Sequence, residues 1–450
     1  MPIQNNRLTE AEYAANFADI HPPFATLDAA VVEANRCIFC YDAPCMKSCP
    51  TSIDVPMFIR QITTDNVKGS AKTIFDSNIL GAGCSRVCPV EKLCEGACVY
   101  NLMGEKPIEI ARLQRYSTEK AIAEHWQLYK SPPSVNRRVA VIGAGPAGLA
   151  CAHTLARQGI EVVIYEKEQK GGGLMTYGVA GYKVTPEFCE AEVDFITSIG
   201  GISIEYGQEL GRDVFLNELQ HNFDAVFLGI GVGLARPLSI EGENLAGVEN
   251  ALEFIYNIRT KPLSTVAVGD KVAVIGLGMT AIDAATQAKR LGASEVTIVY
   301  RRTESEKPCT DVEVDIARLD GVQFVFLATP KELKGNLGKV TELVCEKMKL
   351  GEPDASGRRA PIATGETFSL EVDMVIKAAG QMPFESLVND AHLGHKYGKI
   401  VVDTEGGTNL KGVFAGGDAV NGGKEVVDAV QAGKVGAAGI MQYLCLKTEH

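Results

Sequence analysis

One arrangement, a short apolar run, a glycine turn, a helical stretch and a second β-branched run, occurs twice in this 450-residue chain, at residues 138–167 and 271–302. The apolar runs, Val139 to Ile142 and Val272 to Ile275, are strand-sized. Alternation of such runs with helical stretches is the pattern of doubly wound parallel sheets. A chain this long exceeds one ordinary core, so two to four domains are expected, and a hydrophobic fraction of 46% is enough to fill them. No apolar run reaches the length that crosses a bilayer, which predicts no membrane partner. A net charge of -12 leaves no basic footprint of the kind a phosphate backbone requires, which predicts no nucleic-acid partner.

The two glycine turns differ in a way that bears on their ligands. In the first, Gly143-x-Gly145-Pro146-Ala147-Gly148 follows a strand and opens a helix, so backbone N–H groups and the helix dipole can face a pyrophosphate. The next strand ends at Glu166, before Lys167, where a carboxylate can accept ribose hydroxyl hydrogens as in FAD or NAD sites. Tight glycine turns also serve plain packing; the strand, helix and acid in register favour a dinucleotide. The second turn is Gly276-x-Gly278-Met279-Thr280-Ala281, and its second strand ends in Arg301-Arg302 instead of an acid. Arginine there pairs with a 2'-phosphate that a carboxylate would repel, so Arg301, Arg302 and Lys307 are candidate anion partners and NADP is preferred over NAD, with a solvated basic loop as the alternative.

Eight of the thirteen cysteines lie between Cys37 and Cys98. They form two runs, Cys37-x2-Cys40-x4-Cys45-x3-Cys49-Pro50 and Cys84-x3-Cys88-Pro89-x4-Cys94-x3-Cys98. A disulfide framework would need an oxidising compartment, and the sequence opens without an apolar signal segment, so the expectation is the reducing cytoplasm. Structural zinc usually shows paired CxxC motifs or histidine; here the one CxxC is Cys37 to Cys40 and no histidine falls between Cys37 and Cys98. Eight thiols suit two cubane clusters, each needing four ligands, and the cysteine-proline steps resemble two-cluster ferredoxins, where the last cysteine of a run serves the other cluster. Cys151, Cys189, Cys309, Cys345 and Cys445 are scattered and read as buried small apolar residues.

From Cys37 to about Gly433 the combination resembles the N-terminal half of dihydropyrimidine dehydrogenase and, as the alternative, the glutamate synthase small subunit. Residues Asp42 to Thr51 and Ile110 to Tyr116 carry the preference for the first. The segment from Gly412 to Gly417-Asp418, followed by a helix over 425–444, resembles the distal FAD motif of two-dinucleotide flavoproteins; Gly171 to Gly173-Leu174 resembles their FAD-closing loop, and Lys183 stands where an arginine is common. The resemblance implies an α/β fold with an N-terminal α-helical domain at 1–130 holding two 4Fe-4S clusters. An FAD domain at 135–262 and 379–450 would then hold an inserted nicotinamide domain at 263–378, both Rossmann-like. It implies Cys37, Cys40, Cys45 and Cys98 for one cluster and Cys49, Cys88, Cys94 and Gln114 for the other, leaving Cys84 out. Glutamate synthase-like chains carry glutamate at the Gln114 position.

The family's activity would then have NAD(P)H reduce FAD and electrons leave through the clusters to an FMN-containing partner subunit that reduces uracil or thymine, in a bacterial hetero-oligomer. No catalytic acid or base on this chain is demanded, because the cofactors carry the chemistry. Thioredoxin reductase-like disulfide reduction would need a redox-active cysteine pair beside the flavin, and no paired cysteine follows Gly143. A non-enzymatic electron-transfer scaffold with vestigial nucleotide folds is the remaining alternative.

Overall fold

The computed structural model describes residues 3–354, 357 and 359–445. The chain divides into two compact units: one of residues up to Ala18, Tyr177–Tyr182 and Leu234–Met382, the other of Asp19–Thr176, Lys183–Gly233 and the chain from Pro383.

In the larger unit the strands Val413–Ala415, Ala225–Leu228, Arg138–Ile142, Glu161–Glu166 and Ile202–Tyr206 lie in that spatial order. Every neighbouring pair is parallel. Val139, Ala140 and Val141 are wholly buried, as expected of a parallel strand covered on both faces. The strand Val413–Ala415 joins this sheet from the far end of the chain, so the sheet is built from two distant segments. The helix Val426–Tyr443 packs on the helix Pro146–Ala156 so tightly that a Cβ at Gly433 would lie 2.1 Å from the Ala147 carbonyl oxygen.

The same unit carries the helical cysteine-rich region, with helices Leu27–Ala34, Val55–Thr63, Val67–Ser77, Gly81–Val87 and Ile110–Ala123. Thr26, Asp54 and Asn66 cap the first three by accepting from Ala29, Met57 and Gly69 N–H groups. Phe58, Ile59, Ile62, Ile74 and Leu113 form their core, and Cys37, Cys45, Cys49 and Cys94 pack at its margin.

The smaller unit is built on a second parallel sheet, in the order Val248–Asn250, Met374–Lys377, Lys271–Ile275, Glu295–Tyr300 and Gln323–Phe326. The expected boundary at 262/263 falls inside this unit: Val248–Asn250 is an edge strand of its sheet, and Phe254, Ile255 and Ile258 of the following helix fill that sheet's core. Residues 3–18 also depart from the expected 1–130 domain. Gln4 pairs through its backbone with Val268, and Tyr13 is buried in the same core. A three-stranded antiparallel sheet, Arg359–Glu371, Lys339–Pro353 and Ala328–Asn336, was not foreseen; its outermost strand is largely exposed and shows little apolar periodicity. Of the five scattered cysteines four are buried, but Cys445 is exposed, because it follows the last helical turn at the surface. Among the described residues no helix is long and apolar enough to cross a membrane.

Candidate functional site

At the first glycine turn the chain leaves the strand Arg138–Ile142 through Gly143, whose φ of 95° and 2.5 Å approach of a would-be Cβ to the Gly229 carbonyl oxygen exclude a side chain. Gly148 is closed as well: its Cβ would fall 1.9 Å from the Gly143 carbonyl. Gly145 differs. The nearest heavy atom to an added Cβ is Gly173 Cα at 3.8 Å, so the middle of the turn opens beside the start of the helix Pro146–Ala156. Pro146 sits in that helix's first turn, where its missing N–H costs nothing. A cradle with free backbone N–H groups and no side chain fits a pyrophosphate.

Glu166 is buried and accepts from the Ala144 N–H at 2.7 Å and the Glu168 N–H at 2.9 Å. Burial pushes its carboxyl up from the usual range, partly offset by those two donors. The Gly171–Gly173 loop folds back on the turn, with the Gly172 N–H donating to the Ala144 carbonyl at 2.7 Å. Leu174 is partly exposed beyond it, and Lys183 is half-buried. Gly417 lies against Ala147, 3.0 Å from a would-be Cβ, and starts the short helix Asp418–Asn421. Burial raises the Asp418 carboxyl, which accepts from the Lys424 N–H at 3.1 Å. Lys167 is exposed, its ammonium 5.8 Å from the Phe384 ring centre.

The second turn repeats the geometry. Gly276 has φ 124° and would collide with the Ala378 carbonyl at 2.4 Å, whereas an added Cβ at Gly278 meets no heavy atom within 4 Å. The helix Met279–Arg290 starts there, with Met279 and Thr280 half-buried at its mouth and Ala281 in the core. Its strand Glu295–Tyr300 stops one residue before the arginines. Arg301 is exposed; Arg302 is buried and donates from Nε to the Arg359 carbonyl at 3.2 Å; Lys307 pairs with Asp311 at 2.6 Å. The three residues thus differ in readiness, and Arg301 is the side chain presented to solvent. The helix also holds the segment Tyr177–Tyr182: Asp283 accepts from Ala180 N–H, Gln287 from Gly181 N–H, and Tyr182 bonds Thr286 at 2.7 Å. These three polar residues occupy buried helix positions that carried no sequence signal.

Cys37, Cys40, Cys45 and Cys98 line one cavity, walled by apolar side chains including Val55, Ile59 and Ile110. Burial raises the Cys37 thiol and pushes the Cys45 thiol up to about 11, with Cys98 acting on both. A second gathering forms around Cys88. Its thiol is raised by a hydrogen bond with Cys84, then by burial, then by Cys84, Cys94 and Cys49. Burial also raises Cys94, on which Glu95, Cys49 and Cys45 act, so the two gatherings are neighbours. Thiols held in apolar surroundings fit an iron–sulfur donor set, since metal ligation supplies the charge that burial alone disfavours. Gln114, from the helix Ile110–Ala123, is buried and donates from Nε2 to the Gly81 carbonyl at 2.6 Å, against the first turn of the helix that leads to Cys88.

Two side chains tie this region to the flavin-type sheet and were missed from the sequence. Glu192 accepts from the Gly83 N–H at 2.7 Å, and the Lys434 ammonium donates to the Ser77 carbonyl at 2.7 Å. Burial lowers Lys434 from the ordinary lysine range, while Cys49 acts in the other direction. A lone acid or lysine on an amphipathic helix gives no hint of such a partner.

Residues 13–126 match the 4Fe-4S cluster family described as dihydropyrimidine dehydrogenase domain II. Residues 137–433 match the pyridine nucleotide-disulphide oxidoreductase family. The chain is 35% identical to the glutamate synthase [NADPH] small chain of Escherichia coli, over 95% of this chain and 94% of that one. It is 34% identical to the NAD-dependent dihydropyrimidine dehydrogenase subunit PreT of Salmonella typhimurium, over 95% and 98%. The fold is shared with Mycobacterium tuberculosis FprA in complex with NADPH, at a TM-score of 0.59 and 20% identity over 71% of this chain and 88% of that one. The chain thus belongs to the pyridine nucleotide-disulphide oxidoreductase family, as an NAD(P)-dependent electron-transfer flavoprotein that carries FAD and, in its N-terminal domain, 4Fe-4S chemistry.

Proposed function

We propose that this chain is the NAD(P)H-oxidising subunit of a bacterial dihydropyrimidine dehydrogenase, working in the cytoplasm with an FMN-containing partner subunit that reduces uracil or thymine. What supports this reading is Gln114, a buried glutamine at the position where, by the resemblance, dihydropyrimidine dehydrogenases use a glutamine as cluster ligand and glutamate synthase-like chains carry glutamate. Its amide is fixed by the Gly81 carbonyl, in the first turn of the helix that carries Cys84 and leads to Cys88.

When bound, FAD takes a two-electron hydride from a nicotinamide and the clusters pass electrons singly. Around that chemistry the chain's residues bind and orient. The backbone at Gly143, Gly145 and Gly148 receives the FAD pyrophosphate, Glu166 the ribose hydroxyls, and Gly173, Leu174, Lys183, Gly417 and Asp418 border the flavin end. Gly276, Gly278 and the helix start at Met279 to Ala281 receive the nicotinamide dinucleotide's pyrophosphate, and Arg301, with Arg302 and Lys307, favours a 2'-phosphate. Two 4Fe-4S clusters are held, one by Cys37, Cys40, Cys45 and Cys98, the other by Cys49, Cys88, Cys94 and Gln114. Apolar side chains including Val55, Ile59 and Ile110 wall the first.

Anaerobic co-purification from the native host, followed by assay of uracil-dependent oxidation of NADPH and NADH, tests the reading. An FMN-bearing partner and uracil turnover support it. A large amidotransferase partner with glutamine-dependent turnover transfers the chain to glutamate synthase, a reading that the matching full-length similarity favours equally. Absence of flavin bleaching by both NADPH and NADH would instead make the chain a scaffold.

A further inference from the structure

The loop after the strand Glu295–Tyr300 is more mixed in charge than an anion partner requires. Residues 301–307 hold three basic side chains, Arg301, Arg302 and Lys307, and two acidic ones, Glu304 and Glu306. An uncompensated carboxylate there would repel a 2'-phosphate as an arginine at the same distance attracts it. Both acids are met by arginines from other elements. Arg318 Nη2, on the helix Asp311–Leu319, donates to both Glu304 carboxylate oxygens, at 3.0 and 2.8 Å. Arg359, the first residue of the strand Arg359–Glu371, donates from Nε to Glu306 Oε1 at 2.9 Å and from Nη2 to the same oxygen. The other oxygen, Glu306 Oε2, accepts from the Thr303 N–H at 3.2 Å and from the Thr303 hydroxyl, and the Tyr300 hydroxyl donates to the Glu306 carbonyl at 2.7 Å. Glu306 thus closes the loop on itself, while Arg359 answers its charge. Arg359 also meets the loop through its backbone, since its carbonyl accepts from Arg302 Nε at 3.2 Å. A change confined to the Arg359 side chain therefore removes the ion pair and leaves the Arg302 bond in place.

We propose that Arg359 is a positioning residue for coenzyme choice: by pairing with Glu306 it neutralises the acid that closes the 301–307 loop, so that the loop offers net positive charge to the 2'-phosphate of NADP. The inference rests on the reading in which Arg301, Arg302 and Lys307 receive that phosphate. NAD carries no phosphate at that position and gains nothing from the pairing. The three-stranded antiparallel sheet thereby acquires a role, since its outermost strand supplies a charge that the coenzyme loop lacks.

The test is equilibrium binding of NADP+ and of NAD+ to the anaerobically isolated, oxidised holoprotein, measured by titration calorimetry at low and high salt. The wild type is compared with Arg359→Gln, Glu306→Gln and the double variant Arg359→Gln/Glu306→Gln. In Arg359→Gln, NADP+ is expected to bind about fivefold more weakly, with NAD+ unmoved and the deficit shrinking as salt rises. The double variant, its charge balance restored, returns NADP+ binding to within about twofold of wild type, a rescue that a merely structural role for Arg359 would not show. Equal weakening of both coenzymes in Arg359→Gln, unchanged NADP+ binding there, or no recovery in the double variant overturns the proposal. Should Arg359→Gln fail to fold, Glu306→Gln decides: with the acid gone and Arg359 no longer paired to a carboxylate, NADP+ binds more tightly than in wild type, and unchanged or weaker binding overturns the proposal. Arg301→Glu in the same titration tests the reading beneath it. A loss confined to NADP+ upholds the 2'-phosphate site independently of Arg359, whereas an equal loss for both coenzymes, or none, overturns that reading and the proposal with it.

Discussion

The Glu192 carboxylate accepts the Gly83 N–H at 2.7 Å, and a Cβ on Gly83 would come within 2.5 Å of Glu192 Oε2. The Glu192 side chain thus closes on the backbone of the cysteine-bearing helix, at a place where a side chain at 83 would displace the ends of Glu192 and Met175. Phe75 and Phe195, with ring centres 4.6 Å apart, pack beside the same seam.

Glu192 makes that seam sensitive to pH. Burial pushes its carboxyl up to about 7, with the Gly83 N–H and Arg86 opposing and Glu119 reinforcing the shift. A folded-state value above the unfolded one of about 4.5 means that the native state holds the proton more tightly. Stability is therefore greatest below about 4.5 and falls as pH rises toward 7, by on the order of 3 kcal/mol. Thermal unfolding of the holoprotein at pH 5 and pH 8 should show most of this decline in the wild type and a flatter profile in Glu192→Gln, which keeps an acceptor for Gly83. Equal slopes in the two proteins would count against it.

Gly278 and Gly276 should respond differently to alanine. At Gly278 the φ of -82° suits any residue and the added methyl meets nothing within 4 Å, so only a bound dinucleotide would be displaced. Gly278→Ala should retain flavin and melt within about 1 kcal/mol of wild type, while NAD(P)H-dependent flavin reduction falls at least about tenfold, roughly 1.4 kcal/mol. Gly276→Ala combines positive φ with a 2.4 Å collision and should lose about 1–3 kcal/mol or more of stability.

On the proposed reading Arg301 would contribute most to the coenzyme preference, since Arg302 and Lys307 already have partners on the protein. Arg301→Glu should lower kcat/KM for NADPH by about tenfold to a hundredfold, the loss of about 1.4–3 kcal/mol expected for a charge-assisted bond to phosphate, and leave NADH nearly unchanged. Parallel losses for both coenzymes would remove Arg301 from the 2'-phosphate site.

Cys40 and Cys94 belong to different thiol gatherings. Cys40→Ser and Cys94→Ser should each lose about half the iron and acid-labile sulfide, since a cubane holds four irons, and each should retain one EPR signal of the wild-type pair. Loss of all iron in either variant would point to a single shared centre.

The sequence by itself determined what depends on local spacing. Gly143 and Gly276, each following an apolar run and opening a helix, are legible because a turn with those backbone demands accepts no other residue there. Glu166 and Arg301 could be read from their distance past those turns. The cysteine runs announced iron–sulfur chemistry, yet their spacing could not say which four thiols share a cavity, because Cys98 reaches Cys37, Cys40 and Cys45 across some fifty intervening residues. Tertiary structure brought the four implied by the resemblance to one cavity and alone decided the pairing of Glu192 with Gly83 and Lys434 with Ser77, the place of Val248–Asn250 in the second parallel sheet, and the docking of Gln4 on Val268. Each is a contact between residues far apart in the chain, made where packing brings buried polar groups together and obliges them to find a partner, a constraint that leaves no periodic trace in the sequence.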